Sequence, residues 1–380
     1  MNGDSQLQRE RVPELDGLRG LAILLVIICH YVANAEHTQL GFFWHRFFSA
    51  LSVCWSGVDL FFVLSGFLIG GILLESRQSP RYFKTFYLRR VHRILPVYYG
   101  WILLYLLIFG TIFLFESKRN FVTARDLYPV PYYLLFLQNF TFENTPLEWK
   151  WFGVTWSLAV EEQFYLFAPP LIRRISRERL ITVLLGIVIL APLLRLIIFE
   201  FFPAQVVLAT FAMPSRADAL SLGILAAIFW RSPVFRSYLK DHPVILQRCF
   251  GSLFAGLLVL LWWLDHPVNI VTVTIGYSWL ALFYSCLLLL VLTQTAGWIA
   301  GVMRTPALRY LGTISYCTYL IHFAILRWNH QLLLHSKPRI YDWTGVGVTL
   351  LSLVVTILLA SLSWRFCEKP LLKRGHGYTY

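Results

Sequence analysis

Apolar residues in this chain run in blocks close to the roughly 20 residues that cross a bilayer as a helix, and the blocks recur from one end to the other. Ten are read as spans: residues 17–36, 53–74, 94–116, 152–172, 180–200, 207–229, 249–265, 271–293, 311–333 and 345–366. Polar residues between them fall in short groups that alternate in charge. Segments sharing a side with the N-terminus hold about 22 lysines and arginines and the opposite segments about seven, the bias that keeps basic loops in the cytoplasm. Both termini are therefore expected there. The longest connection, Glu116 to Lys150, is rich in Tyr, Phe and Trp and belongs to the outer side. Residues 1–380 read as a single all-α, polytopic membrane domain with short cytoplasmic tails, expected in the cell membrane.

Composition sharpens this picture. Of 380 residues, 57% are hydrophobic and 14% charged, which excludes a soluble globular domain. The net charge of +13 resides in loops that topology already makes basic, so membrane lipid is an expected partner and nucleic acid is not. Six cysteines (Cys29, Cys54, Cys249, Cys286, Cys317, Cys367) show no CxxC pairing and read as free thiols; no metal is expected. Arg9 and Arg11, the first apolar run and Ala33-Asn34-Ala35 have the layout of a signal peptide, but cleavage there would remove His30 and break the charge alternation. Asn139-Phe140-Thr141 fits a glycosylation sequon.

The informative residues are those that do not belong in lipid, where a charge costs a few kcal/mol or more. In ELDGLRGLAILLVIICHY, Arg19 and His30 are eleven residues apart and return to within about 20° of one helical direction, with Asp16 about 40° off that line. This stripe should face protein or water. Span two, GVDLFFVLSGFLIGG, holds Asp59 in an apolar context beside Gly57, Gly66, Gly70 and Gly71, which permit close helix approach. Arg89, Arg90 and Arg93 precede Pro96 at the mouth of span three, and arginine forks suit phosphates. Glu161 and Glu162 enter span four with Tyr165 one turn on, Arg216 and Asp218 lie in span six, and Ser315, Tyr319 and His322 lie in span nine.

Taken in order, LDGLRG with the Arg19 to His30 spacing, FFVLSGFLIG, YLRRVHRILPVYY, SLAVEEQFYL, the pattern from Arg216, LGTISYCTYLIH and Glu368-Lys369-Pro370 resemble the acyltransferase 3 family of integral membrane acyltransferases. The match covers almost the whole chain. The resemblance implies transfer of an acyl group, often acetyl, from cytosolic acyl-CoA to a hydroxyl of a carbohydrate or another glycosylated acceptor. His30 matches the family's proposed catalytic histidine and Arg19 its partner. The chain ends about fourteen residues after span ten, as in members without an appended hydrolase-like domain. An alcohol attacking a thioester needs a base, and an imidazole suits that work near neutrality. His30 is accordingly the expected general base, with Glu161, Glu162 or Asp59 as its carboxylate partner. Arg89, Arg90 and Arg93, with Arg19, are expected to hold the acyl-CoA phosphates. A proton-coupled transporter of a small polar solute is the competing class, since ionisable intramembrane residues also mark transport paths.

Overall fold

Away from water, a backbone satisfies its own polar groups most simply as helix, and long apolar runs here do so throughout. The computed structural model describes residues 12–36, 41–115, 130–141, 152–261 and 269–380. In chain order the helices are α1 (Pro13–Ile28), α2 (Phe42–Leu51), α3 (Gly57–Glu75), α4 (Tyr82–Phe115), α5 (Val130–Leu134), α6 (Trp156–Arg174), α7 (Arg177–Phe201), α8 (Val206–Phe211), α9 (Met213–Trp230), α10 (Pro233–Asp241), α11 (Pro243–Leu260), α12 (Tyr277–Thr293), α13 (Trp298–Met303), α14 (Pro306–Leu334), α15 (Trp343–Ser363) and α16 (Lys369–His376). Much of the expected outer connection, residues 116–129 and 142–151, lies outside the described residues, as does the end of expected span seven.

Seven helical segments among the described residues are long and apolar enough to cross a membrane: Pro13–Ala33, Ser52–Glu75, Arg177–Phe201, Pro203–Trp230, Pro243–Leu260, Thr272–Thr293 and Trp343–His376. Three further long helices, α4, α6 and α14, stand where spans three, four and nine were expected. They are more polar because they carry Arg90 and Arg93, Glu161 and Glu162, and Tyr319 and His322. The chain is a multi-pass membrane protein, and its least apolar long helices share the candidate chemistry with α1 and α3.

Two boundaries differ from expectation for identifiable reasons. Helix α4 starts at Tyr82, not near residue 94, because arginine and leucine are good helix formers and nothing in FYLRRVHRIL stops the helix. Span six is broken at Ala212, which is extended at φ −73° and ψ 142°. Pro214 lacks the N–H that would bond the Thr210 carbonyl, and its ring would crowd that group. A similar loss is repaired in α6, where Pro170 leaves the Leu166 carbonyl without a helical donor and the Tyr87 hydroxyl donates to it at 3.4 Å.

Helix α3 is central, with 78% of its apolar stretch buried, whereas α11 is peripheral at 6%. Helix α1 packs chiefly on α14, and α3 on α9. The first pair approaches so closely that a Cβ on Gly20 would fall 1.9 Å from the Leu308 carbonyl oxygen, and one on Gly312 1.9 Å from that of Asp16. Glycine is what the backbones permit there, and the contact sets His30 against α14. Gly66, expected to allow close approach, does lie against the α9 backbone, where a Cβ would come 2.1 Å from the Leu220 oxygen.

Candidate functional site

His30 sits where α1 widens into a π turn, Cys29–Ala33, closed by the Asn34 N–H on the Cys29 carbonyl at 2.9 Å. Such turns re-aim side chains and often stand at functional sites. The next residue fixes this one in depth: the Tyr31 hydroxyl donates to the His322 carbonyl at 2.9 Å and accepts from Thr356 Oγ1, also at 2.9 Å. Carbonyl oxygens only accept, and that settles the neutral rings. His322 Nδ1–H donates to the Tyr319 carbonyl at 2.8 Å, leaving its Nε2 lone pair facing His30 Nδ1 at 3.3 Å. His30 Nδ1–H lies 2.9 Å from the Val26 carbonyl and is shared between these acceptors. The basic lone pair of His30 is therefore on Nε2.

Around this pair the helices enclose two cavities. The first, about 190 Å³, is lined by Arg19, Arg90, Arg93, Glu161, Tyr165 and Tyr319 among others. The second, about 260 Å³, is lined by His30, Asn34, Trp55, Trp156, Arg216 and Tyr319 among others. Four helices order them consistently. Along α1, Arg19 faces the first and Val26 to Asn34 the second; along α14, Ser315 and Tyr316 face the first and Phe323 the second. In the opposite chain direction, Val58 precedes Phe61 to Ile72 on α3, and Gly153 to Trp156 precede Ser157 to Tyr165 at α6. The cavities are thus stacked end to end, and among the described residues Tyr319 is the one that lines both.

Each candidate residue can now be placed. Arg19 pairs with the buried Asp16 at 3.2 Å while lining the first cavity, so the stripe of α1 continues past it to His30 in the second. Arg90 and Arg93 line the first cavity; Arg90 stacks over Phe86 and Tyr165, and its Nε has no hydrogen-bond partner among the described residues. Arg89 departs from expectation. It lies about 100° from Arg90 around the helix, donates to the Tyr378 carbonyl at 2.6 and 2.9 Å and stacks over Tyr380 instead of lining the cavity.

Among the described residues, none of the three expected carboxylates bonds to the His30 ring, whose Nδ1 meets the Val26 carbonyl and His322. Asp59 accepts from Arg216 at 2.5 Å, both side chains buried. Glu161 accepts from the Tyr165 hydroxyl at 3.0 Å in the first cavity, and that hydroxyl accepts from Ser65 at 2.9 Å. Glu162 Oε1 is buried with no hydrogen-bond partner among the described residues. The reason is topological: Asp59 stands in the first turn of α3 facing α9, and the two glutamates lie on the α6 turns beyond Ser157, at the level of the first cavity.

Sequence reading overlooked Arg195 and Tyr277. Arg195, wholly buried in α7, donates to Asp218 at 2.9 and 3.0 Å, to Ser278 at 2.7 Å and to the Ser215 carbonyl at 2.5 Å. Its signal was present as an arginine inside LAPLLRLII. Arg216 stacks 3.7 Å over the Tyr277 ring. Its Nη2 serves Asp59, while Nε and Nη1 have no hydrogen-bond partner among the described residues, an unusual condition for a buried guanidinium. The sequon asparagine is buried, with Asn139 Nδ2 donating to the Phe211 carbonyl at 3.1 Å, and is not available to a glycan.

The arrangement offers cations in one cavity and a correctly protonated imidazole in the next. Comparisons with known proteins agree with such chemistry. The peptidoglycan O-acetyltransferase OatA of Listeria monocytogenes is 28% identical over 393 residues, covering 99% of this chain and 58% of its own length. The O-acetyltransferase OatA of Staphylococcus aureus (strain NCTC 8325 / PS 47) is 27% identical over 377 residues, covering 96% of this chain and 58% of its own. A protein of S. aureus strain COL, provisionally named as an O-acetyltransferase, is 28% identical over 386 residues with coverages of 96% and 58%. The chain thus spans 58% of the length of these relatives. No solved structure matches. A family model described as an acyltransferase domain matches residues 12–365, which take in α1 with Arg19 and His30, both cavities and the ring between them; the chain belongs to that acyltransferase family.

Proposed function

We propose that this chain is a membrane O-acyltransferase that moves an acyl group, acetyl in our reading, from acyl-CoA in the first cavity to a hydroxyl of a carbohydrate or glycosylated acceptor in the second. The stacked cavities carry the proposal: arginines line one, His30 lines the other, and among the described residues Tyr319 alone lines both. The charge bias of the loops puts the arginine cavity toward the cytosol, with ten crossings of the cell membrane and both termini cytoplasmic. Residues 1–380 act as one acyltransferase domain.

The chemistry follows from the donors present. Arg90, Arg93 and Arg19 hold the phosphates of acyl-CoA, and the apolar wall of Phe61, Leu64, Leu68 and Ile69 receives its thin arm. The acceptor oxygen attacks the thioester carbonyl carbon while His30 Nε2 takes its proton; the C–S bond then breaks and the proton goes to the leaving sulfur. Negative charge gathers on the carbonyl oxygen, and the unpartnered N–H groups of Arg216 supply its stabilisation. Relatives named as O-acetyltransferases, one of them for peptidoglycan, support this reading.

Purified protein given acetyl-CoA should release free thiol when acceptor glycan is added, and mass spectrometry of cell-surface glycans should show a gain of one acyl unit only when the gene is present. Solute flux without any thiol release would instead establish a transporter. The arginines give a graded test. Arg90→Ala and Arg93→Ala should each raise the acyl-CoA Kd about tenfold or more, the scale of a charged hydrogen bond, and more so at low salt. Arg89→Ala, whose guanidinium is engaged by the Tyr378 carbonyl, should change Kd far less; equal effects at all three positions would return the cluster to a purely topological role.

A further inference from the structure

Tyr319 is the point at which the two cavities meet, and its own bonding shows how it is held there. Its hydroxyl donates to the Val154 carbonyl at 2.5 Å, which leaves Ser157 Oγ–H, at 2.6 Å, as the donor to the phenol oxygen. Both partners belong to the segment entering α6, so the ring reaches from α14 across the passage and is latched on the far wall. Phe61, which lines the first cavity, stands edge-on at 6.1 Å between ring centroids, and His322 is tilted against the same ring at 5.8 Å. The Tyr319 carbonyl is also the acceptor that fixes the His322 tautomer. Among the described residues, Tyr319 alone lines both the cavity of Arg90 and Arg93 and that of His30, so a donor extending from one toward the other meets this ring.

Resting on the acyl-transfer reading above, we propose that Tyr319 is the specificity-determining partition between donor and acceptor cavities, and that its latched ring limits the acyl groups transferred to short ones. The acyl carbonyl passes the ring edge; the remainder of the acyl chain must fit beside the ring or be refused. The phenol serves as a latch and not as an acid, since its proton is already given to a backbone carbonyl. Exclusion of a larger group by a fixed aromatic wall is a form of discrimination that a cavity can make strong, because the wall cannot yield without breaking two hydrogen bonds.

Non-reacting thioethers test this without any acceptor. Binding of S-ethyl-CoA and S-hexyl-CoA to the purified full chain should differ about tenfold in favour of the short group in the wild type, and this gap should close in Tyr319→Ala. Tyr319→Phe keeps the ring but loses both hydrogen bonds of the latch, so it should narrow the gap only in part. If Tyr319→Ala elutes as aggregate, Tyr319→Leu is read the same way, and Ser157→Ala, which loosens the latch while keeping the ring, should narrow the gap no further than Tyr319→Phe does. An identical length profile in the wild type and in the folded variants overturns the partition. Failure of the wild type to bind either thioether overturns the acyl-CoA reading itself, and the two failures are distinct.

Discussion

His30→Ala is expected to lower acyl transfer by about two to four orders of magnitude, the range that general-base catalysis supplies, while acyl-CoA affinity stays within about twofold because the arginines lie in the other cavity. The ring is not needed for the helix, since the π turn is closed by backbone groups and anchored by Tyr31. The decisive measurement is thiol release under saturating donor together with donor binding on the same preparation. Turnover within tenfold of wild type would remove His30 as the base. His322→Ala should cost less, about tenfold, because the Val26 carbonyl still accepts from His30 Nδ1 and keeps the lone pair on Nε2. Equal losses at both histidines would mean that the pair acts as one unit.

Asp59→Ala should destabilise the fold by about 3–5 kcal/mol, the cost of leaving a buried charge without its partner. Arg216 is 2% exposed and reaches no other carboxylate within ion-pair distance among the described residues. The same loss is expected for Arg216→Ala, read as a lower thermal midpoint in detergent. Replacing both residues with leucine removes the two charges together and should recover most of the midpoint. Transfer should not recover, because the N–H groups assigned to the developing oxyanion are absent. A double variant that is stable and active would show the pair to be structural alone.

Much of this architecture was legible because bilayer helices advertise themselves by length and apolarity, and the Arg19 to His30 spacing was readable because both residues stand on one continuous helix. What escaped were relationships between helices. Asp59 was a reasonable companion for His30 until α9 brought Arg216 against it, and nothing along the chain placed His322 of α14 beside His30. Arg89 and Arg90 look equivalent in a string of letters, yet the helical turn sends one to the cavity and the other to the tail. Arg195 stands alone in an apolar run of the sequence, and only the fold supplies its network with Asp218 and Ser278.

The contact between α1 and α14 joins residues 292 positions apart, His30 and His322. During synthesis α1 must therefore wait for almost three hundred further residues before its imidazole acquires this neighbour. Asp59 waits 157 residues for its counter-charge. A ribosome that stalls midway leaves a chain with stranded ionisable groups and no assembled centre, so truncated products are both inert and conspicuous to membrane proteases.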